Sequence, residues 1–245
     1  MDHVVHLEVN GGVALVKMED RANKNTFSEA LVTQLKETFT QVEANPSVKV
    51  VVITGFDAYF CCGGTRKELL AILDGHLNFT DQGIHDLLLR CKLPVIAAMQ
   101  GHAIGGGLVF GCYADILILG AENFYSANFM KYGFTPGMGG TLLLPHVFGP
   151  LLGKEMMLTA RNYQGRELQE RGAPVRVVPR AEVLEKAMAE ASNLATMERA
   201  ALLLLKTRLS KPVREGLPAA LEAELAMHRE TFAGEAVRAR ILERW

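Results

Sequence analysis

The spacing of apolar positions changes several times along the chain, and each change predicts an element. Residues 6–18 mix apolar residues with Glu8, Asn10 and Lys17 around Asn10-Gly11-Gly12, which predicts two half-exposed strands joined as a hairpin. Over residues 27–42 the period lengthens. Leu31, Leu35, Phe39 and Val42 share one face of a helix, with Ser28 in the region of its N-cap. Residues 48–54 read as a buried strand ending at Gly55, and Gly63-Gly64 opens a helical stretch to residue 73.

The second half follows the same order. A helix at 84–90 and a buried strand at 94–99 precede Gly105-Gly106-Gly107, a short apolar helix at 108–113 and a strand at 114–119. A further strand is expected at 175–178. Strand, glycine turn and helix therefore recur without a visible sequence repeat. Beyond residue 181 helix formers dominate. Residues 187–208 predict one helix, Pro212 and Gly216-Leu217-Pro218 are expected to break it, and helices follow at 219–232 and 237–245. The expected division is a core of residues 1–190 carrying the site and a helical region, 191–245, that packs on the core or on a neighbouring subunit.

Length and composition narrow the class. A chain of 245 residues, 49% hydrophobic, suits one large domain or one with a small appendage. Its 26 basic and 27 acidic residues are interspersed, which argues against nucleic acid or an acidic membrane surface as partner. A small anionic substrate or a protein carrier needs only one or two local cations and stays open. There is no run of about 18 apolar residues and no basic start leading into an apolar segment. Cys61, Cys62, Cys91 and Cys112 lack metal-ligand spacing and read as thiols in a reducing compartment. A cytoplasmic enzyme with neither metal nor cofactor is expected.

The candidate chemistry lies in the two glycine turns. A helix N-terminus leaves unpaired N–H groups, and glycine lets a ligand approach them closely. Two such turns converging on one oxygen make an oxyanion hole. Tight packing is the plainer use of each turn alone. Gly105, Gly107 and Gly111 also fit a loose dinucleotide fingerprint, but no acidic residue is convincingly placed to complete it, and a phosphate loop's Gly-Lys-Ser/Thr ending is absent.

VVVITG (50–55), FCCGG (60–64), PVIAAMQGHAIGGG (94–107), Ala114-Asp115 and GFTPGMGG (133–140) occur in order and at fitting intervals. On these motifs the chain resembles the crotonase (enoyl-CoA hydratase/isomerase) superfamily over nearly its whole length. Residues 21–25 resemble the segment that closes that family's nucleotide side. The resemblance implies an α/β fold, a crotonase-type spiral of repeated β-β-α turns with a helical C-terminal region. It also implies trimers or dimers of trimers and an acyl thioester as substrate. The family's oxyanion donors map onto the N–H groups of Gly64 and Gly106.

A hydratase of that family needs two glutamates to handle water. Those positions are Val109 and Phe129 here, and neither side chain transfers protons. Enolate stabilisation is kept while hydration is lost, a combination that suits decarboxylation through a dienolate. FMKYGFTPGMG (129–139), RAEVL (180–184) and MHRETF (227–232) resemble the decarboxylating crotonases of polyketide β-branching. Those relatives convert a 3-methylglutaconyl thioester on acyl carrier protein to the 3-methylcrotonyl thioester, and share a histidine on a C-terminal helix. That position is His228, where an imidazole can hold an anion and give a proton. Their lysine before Phe-Thr-Asp is Asn78 here, which leaves the carboxylate-binding group open, with Lys67 a possible replacement and Lys131 another cation near the pocket wall. Taken alone, Lys67 is most simply a solvated helix position. His102 reads as a backbone-bonding loop residue, and His76, His85 and His146 as surface positions. Cys62 has no evident histidine to activate it as a nucleophile. A double-bond isomerase, or an acyl-carrier binding protein without catalysis, are the competing readings.

Overall fold

The computed structural model describes residues 3–244. Strands β1 (Val5–Asn10) and β2 (Val13–Met18) form the expected hairpin, followed by helix α1 (Glu29–Ala44). A first turn of spiral contains β3 (Val50–Thr54), β4 (Tyr59–Cys61) and α2 (Arg66–Leu73). After the short α3 (Leu87–Arg90), a second contains β5 (Val95–Met99), β6 (His102–Ile104) and α4 (Gly106–Cys112). A third contains β7 (Ile116–Gly120), β8 (Phe124–Ser126) and α5 (Phe129–Tyr132). Then come α6 (Gly140–Phe148), α7 (Pro150–Thr159), β9 (Tyr163–Gln164), α8 (Gly165–Glu170) and β10 (Arg176–Val178). The chain ends in α9 (Val183–Ala195), α10 (Arg199–Thr231) and α11 (Glu235–Arg244). Trp245, assigned to the last helix from sequence, lies outside the described residues.

Each turn of the spiral contributes its first strand to a six-stranded sheet, β1-β2-β3-β5-β7-β10, and its second to a four-stranded sheet, β4-β6-β8-β9. The large sheet is parallel from β2 onward and covered on both faces, so β3 and β5 are buried at every position. Val50, Val52, Ile96, Ala98 and Ile118 face Val183, Ala187 and Ala191 of α9. Val51, Ile53, Val95 and Ala97 face the main core, where α1 contributes Leu31, Leu35 and Phe39. The Ser28 hydroxyl caps α1 by accepting from Leu31 N–H at 3.2 Å and donates to Asp20.

The C-terminal helices depart from the sequence reading. The break falls at residues 196–198, between α9 and α10, so residues 187–208 belong to two helices and the 190/191 boundary lies inside α9. The helix α10 then runs unbroken through Pro212, Gly216 and Pro218. Both prolines are exposed, where water can serve the carbonyls they leave without an N–H partner. Lys206, Ser210, Val213, Leu217, Glu224 and His228 form a buried stripe at helical spacing, and this packing overrides local propensity. The Lys206 ammonium donates to the Leu88 and Leu93 carbonyls and pairs with Asp115 at 2.8 Å. His85 is a second correction: it is buried at 8% exposure, drawn inward where Ile84, Leu88 and Leu89 pack into the core.

Candidate active site

The spiral stacks the two glycine turns against each other. Parallel pairing of β4 with β6 brings Cys61 opposite Ala103, so the residues after each strand meet. A Cβ on Gly63, whose φ is +80°, would stand 3.0 Å from the Gly106 nitrogen, and one on Gly107 would lie 2.1 Å from the Cys61 carbonyl oxygen. Side chains at either place would force the turns apart. The first turn is also clamped from outside, because Phe27 N–H donates to Gly63 O at 2.7 Å and Thr26 bridges Gly63. Among the described residues, neither Gly64 N–H nor Gly106 N–H has a protein acceptor.

Both glycines border one largely apolar cavity. Its wall includes Phe27, Leu69, Ile72, Phe79, Ile84, Phe129, Phe134 and Met138. The aromatic part is continuous. Phe134 stacks on Phe232 at 4.6 Å between centroids, and Phe79 lies 5.9 Å from each. Such a lining excludes water and strengthens any hydrogen bond made inside it. The polar side chains on the wall are Glu68, Asn78, Gln82, Asn128, Cys62 and Tyr132. Burial pushes the Cys62 thiol up to about 11, so it is a thiol rather than a thiolate near neutral pH.

The structure brings Gly64, Gly106, Asn78 and Phe129 together around this cavity and places three other candidates elsewhere. Val109 is fully buried on α4, turned toward Gly140 of α6 instead of into the cavity. Lys67 is exposed in an adjoining cleft with Lys24 and Arg66. Helical geometry explains this: with Leu69 buried, the side chain two positions earlier on α2 points the opposite way. His228 is buried in a second cleft beyond Phe79, with the two rings 4.9 Å apart. Its Nε2 donates to the Thr135 and Pro136 carbonyls, 3.0 Å from each. Burial lowers its affinity for a second proton, against the effect of those two carbonyls. Nδ1 has no partner among the described residues.

Asn78 borders both the cavity and the second cleft, with its amide turned toward Asp81. His102 lies at the start of β6 and not in a loop, but its Nδ1 accepts from Phe124 N–H at 2.9 Å, the backbone-bonding role expected of it. Sequence reading missed Glu68 and Gln82. The signal for Glu68 was Thr65-x-x-Glu68, a capping box that places the carboxyl at the start of α2 and is present here.

A spiral of strand-strand-helix turns, with two open glycine amides facing an apolar cavity, defines a crotonase-type protein. The chain belongs to the enoyl-CoA hydratase/isomerase family, whose sequence profile matches residues 8–243. It is 48% identical to bacillaene synthase decarboxylase PksI of Bacillus subtilis (strain 168), over 96% of this chain and 94% of that one. Its fold superposes with a TM-score of 0.97, at 48% identity and 99% coverage of both chains, on a structure from a dehydratase/decarboxylase enzyme couple involved in polyketide β-branching. The ECH2 decarboxylase domain of CurF from Lyngbya majuscula matches with a TM-score of 0.95, 39% identity and full coverage of both chains. PksI and the CurF ECH2 domain are decarboxylases of the crotonase superfamily.

Proposed function

We propose that the protein decarboxylates a 3-methylglutaconyl thioester borne on an acyl carrier protein, giving the 3-methylcrotonyl thioester. The observation that carries this reading is the pair of open amides, Gly64 and Gly106, on a cavity with Phe129 in its wall and no family glutamate at 109 or 129. Loss of CO2 leaves the C–C bonding electrons in a dienolate, whose negative charge develops on the thioester oxygen. The two N–H groups strengthen their hold as that charge grows, which is where they lower the barrier. A dry cavity favours exchange of a localised carboxylate for a delocalised anion and neutral CO2.

Binding divides between the two clefts that adjoin the cavity. Lys24, Arg66 and Lys67 line one of them beside Cys62 and Asn128, and suit the phosphate of a phosphopantetheine arm. His228 borders the other. A substrate carboxylate that displaces Phe79 meets the free Nδ1, which gains a proton as the anion arrives, and Asn78 adds an uncharged hydrogen bond. The exposed Leu204, Leu205 and Leu209 of α10 suit contact between copies in a trimer or dimer of trimers.

Mass spectrometry of a 3-methylglutaconyl carrier protein after incubation tests the reading. The expected result is loss of CO2 with the thioester intact. A carrier of unchanged mass with a shifted alkene indicates an isomerase instead, and an unchanged acyl group indicates binding without turnover.

A further inference from the structure

Decarboxylation and double-bond isomerisation both end with a proton delivered to carbon, and beside the two backbone amides no side chain has yet been assigned to deliver it. Among the described residues lining the cavity, one carries a carboxyl: Glu68. A Cβ on Gly64 would stand 3.9 Å from Glu68 Oε2, so the carboxyl sits beside the first oxyanion turn. The side chain is held from both ends. Its Oε2 accepts from Thr65 N–H at 2.8 Å and lies 3.0 Å from the Thr65 hydroxyl, and Oε1 accepts from Gln82 Nε2. Gln82 Oε1 is buried without a partner. Turning the Gln82 amide over presents that oxygen to Glu68, where it accepts from a protonated carboxyl. One amide can therefore support the acid in either protonation state.

We propose that Glu68, seated on Thr65 and Gln82, is the acid that delivers the proton to the dienolate carbon. The step follows from the dienolate reading above. After CO2 leaves, electrons return from the thioester oxygen to re-form its carbonyl. The dienolate π pair takes the Glu68 proton at the γ carbon, making the new C–H bond. The O–H electrons stay on Glu68 as a carboxylate, and solvent returns its proton once product departs. The sum is a carboxylate plus one proton giving CO2 and a C–H bond, with no change of redox state.

The surroundings shift Glu68 toward its protonated form. Burial raises the affinity of Glu68 for its proton, outweighing the hydrogen bonds from Thr65 and Gln82 that favour the carboxylate. Its charged neighbours face solvent: Arg66 and Lys67 on the same helix, and Asp81 on the loop opposite, are exposed. A carboxylate beside Gly64 would repel the forming enolate, whereas a neutral acid does not. The enolate in turn holds the proton on Glu68 until the carbon takes it. Cys62, the thiol on the same wall, is a far weaker acid at about 11.

The test uses Glu68→Gln and Glu68→Asp. Glutamine also serves in a capping box, so the first variant keeps α2 and its contact with Gln82. The assay is deuterium wash-in from D2O at the γ-methyl of a 3-methylcrotonyl pantetheine thioester, which runs the proton step backwards without the carboxylate. Wild-type wash-in is expected, reduced about 10²- to 10⁴-fold in Glu68→Gln, with partial recovery in Glu68→Asp and unchanged thioester binding. Equal wash-in by wild type and Glu68→Gln, or none by wild type, overturns the assignment. Wash-in that depends on Glu68, in a protein that releases no CO2 from the carrier-bound diacid, upholds the acid and refutes the decarboxylase.

Discussion

At the scale of the residue, the site depends on closeness that only glycine allows. Gly63 combines a left-handed backbone with a 3.0 Å approach of its missing Cβ to the Gly106 nitrogen. Gly63→Ala is therefore expected to lower turnover about 10²- to 10³-fold by moving one donor off line. A fall in Tm should accompany it, from about 1–2 kcal/mol of left-handed strain. Steady-state kinetics and a melting curve check both. Glu68 gives a pH prediction. Its proton is bound more tightly in the folded than in the unfolded chain, so its contribution to stability is present below the ordinary glutamate pKa of about 4.3 and is lost as pH rises through the folded value. Melting curves of wild type against Glu68→Gln should show the variant gaining relative stability from about pH 4.5 upward. The glycines and the two missing glutamates were legible in the sequence. Glu68 was not, because a carboxyl in a capping box reads only as a helix start. Its inward direction depends on Gln82, a loop residue 14 positions away in the chain.

At the scale of the element, α10 joins the site to the core. Its Glu224 carboxylate accepts from Gly139 N–H at 2.7 Å, Thr141 N–H at 2.8 Å and the Thr141 hydroxyl at 2.6 Å, capping α6 from a distance. Gly140 lies between those residues, and Met138 on the cavity wall directly precedes them. Glu224→Ala leaves buried donors without an acceptor and should cost about 2 kcal/mol or more in urea unfolding. The interior prolines permit the opposite experiment. Pro218 is exposed, and Pro218→Ala restores a donor to the helix, so stability should rise by up to about 3 kcal/mol. Local pattern could not show this continuity, since the stripe from Lys206 to His228 outweighs two strong helix breakers only once the core is in place. The small sheet was hidden for a different reason. Segments such as Tyr59–Cys61 and His102–Ile104 are three residues long, too short to establish a period of two. His228 was legible as a helical residue, but the ring of Phe79 between it and the glycines was not.

At the scale of the whole molecule, the spiral explains why separate motifs make one site. The first two turns each deliver a glycine amide to the same edge, and the C-terminal region backs the cavity wall by packing His228 on Phe79 and Phe232 on Phe79 and Phe134. No helix among the described residues is long and apolar enough to cross a membrane. The exposed leucines of α10 make assembly testable: Leu205→Glu with Leu209→Glu should shift the sedimenting species toward monomer, and an unchanged sedimentation profile would remove this face from the contact. The central claim is a dienolate held by Gly64 and Gly106 and kept from water. Turnover of the 3-methylglutaconyl carrier protein in D2O, followed by mass and NMR analysis of the acyl group, tests it most directly. The expected result is at least one deuterium at the γ carbon for each CO2 lost, further deuterium entering by exchange, and no hydrated product. A β-hydroxyacyl product that retains its carboxylate would contradict it.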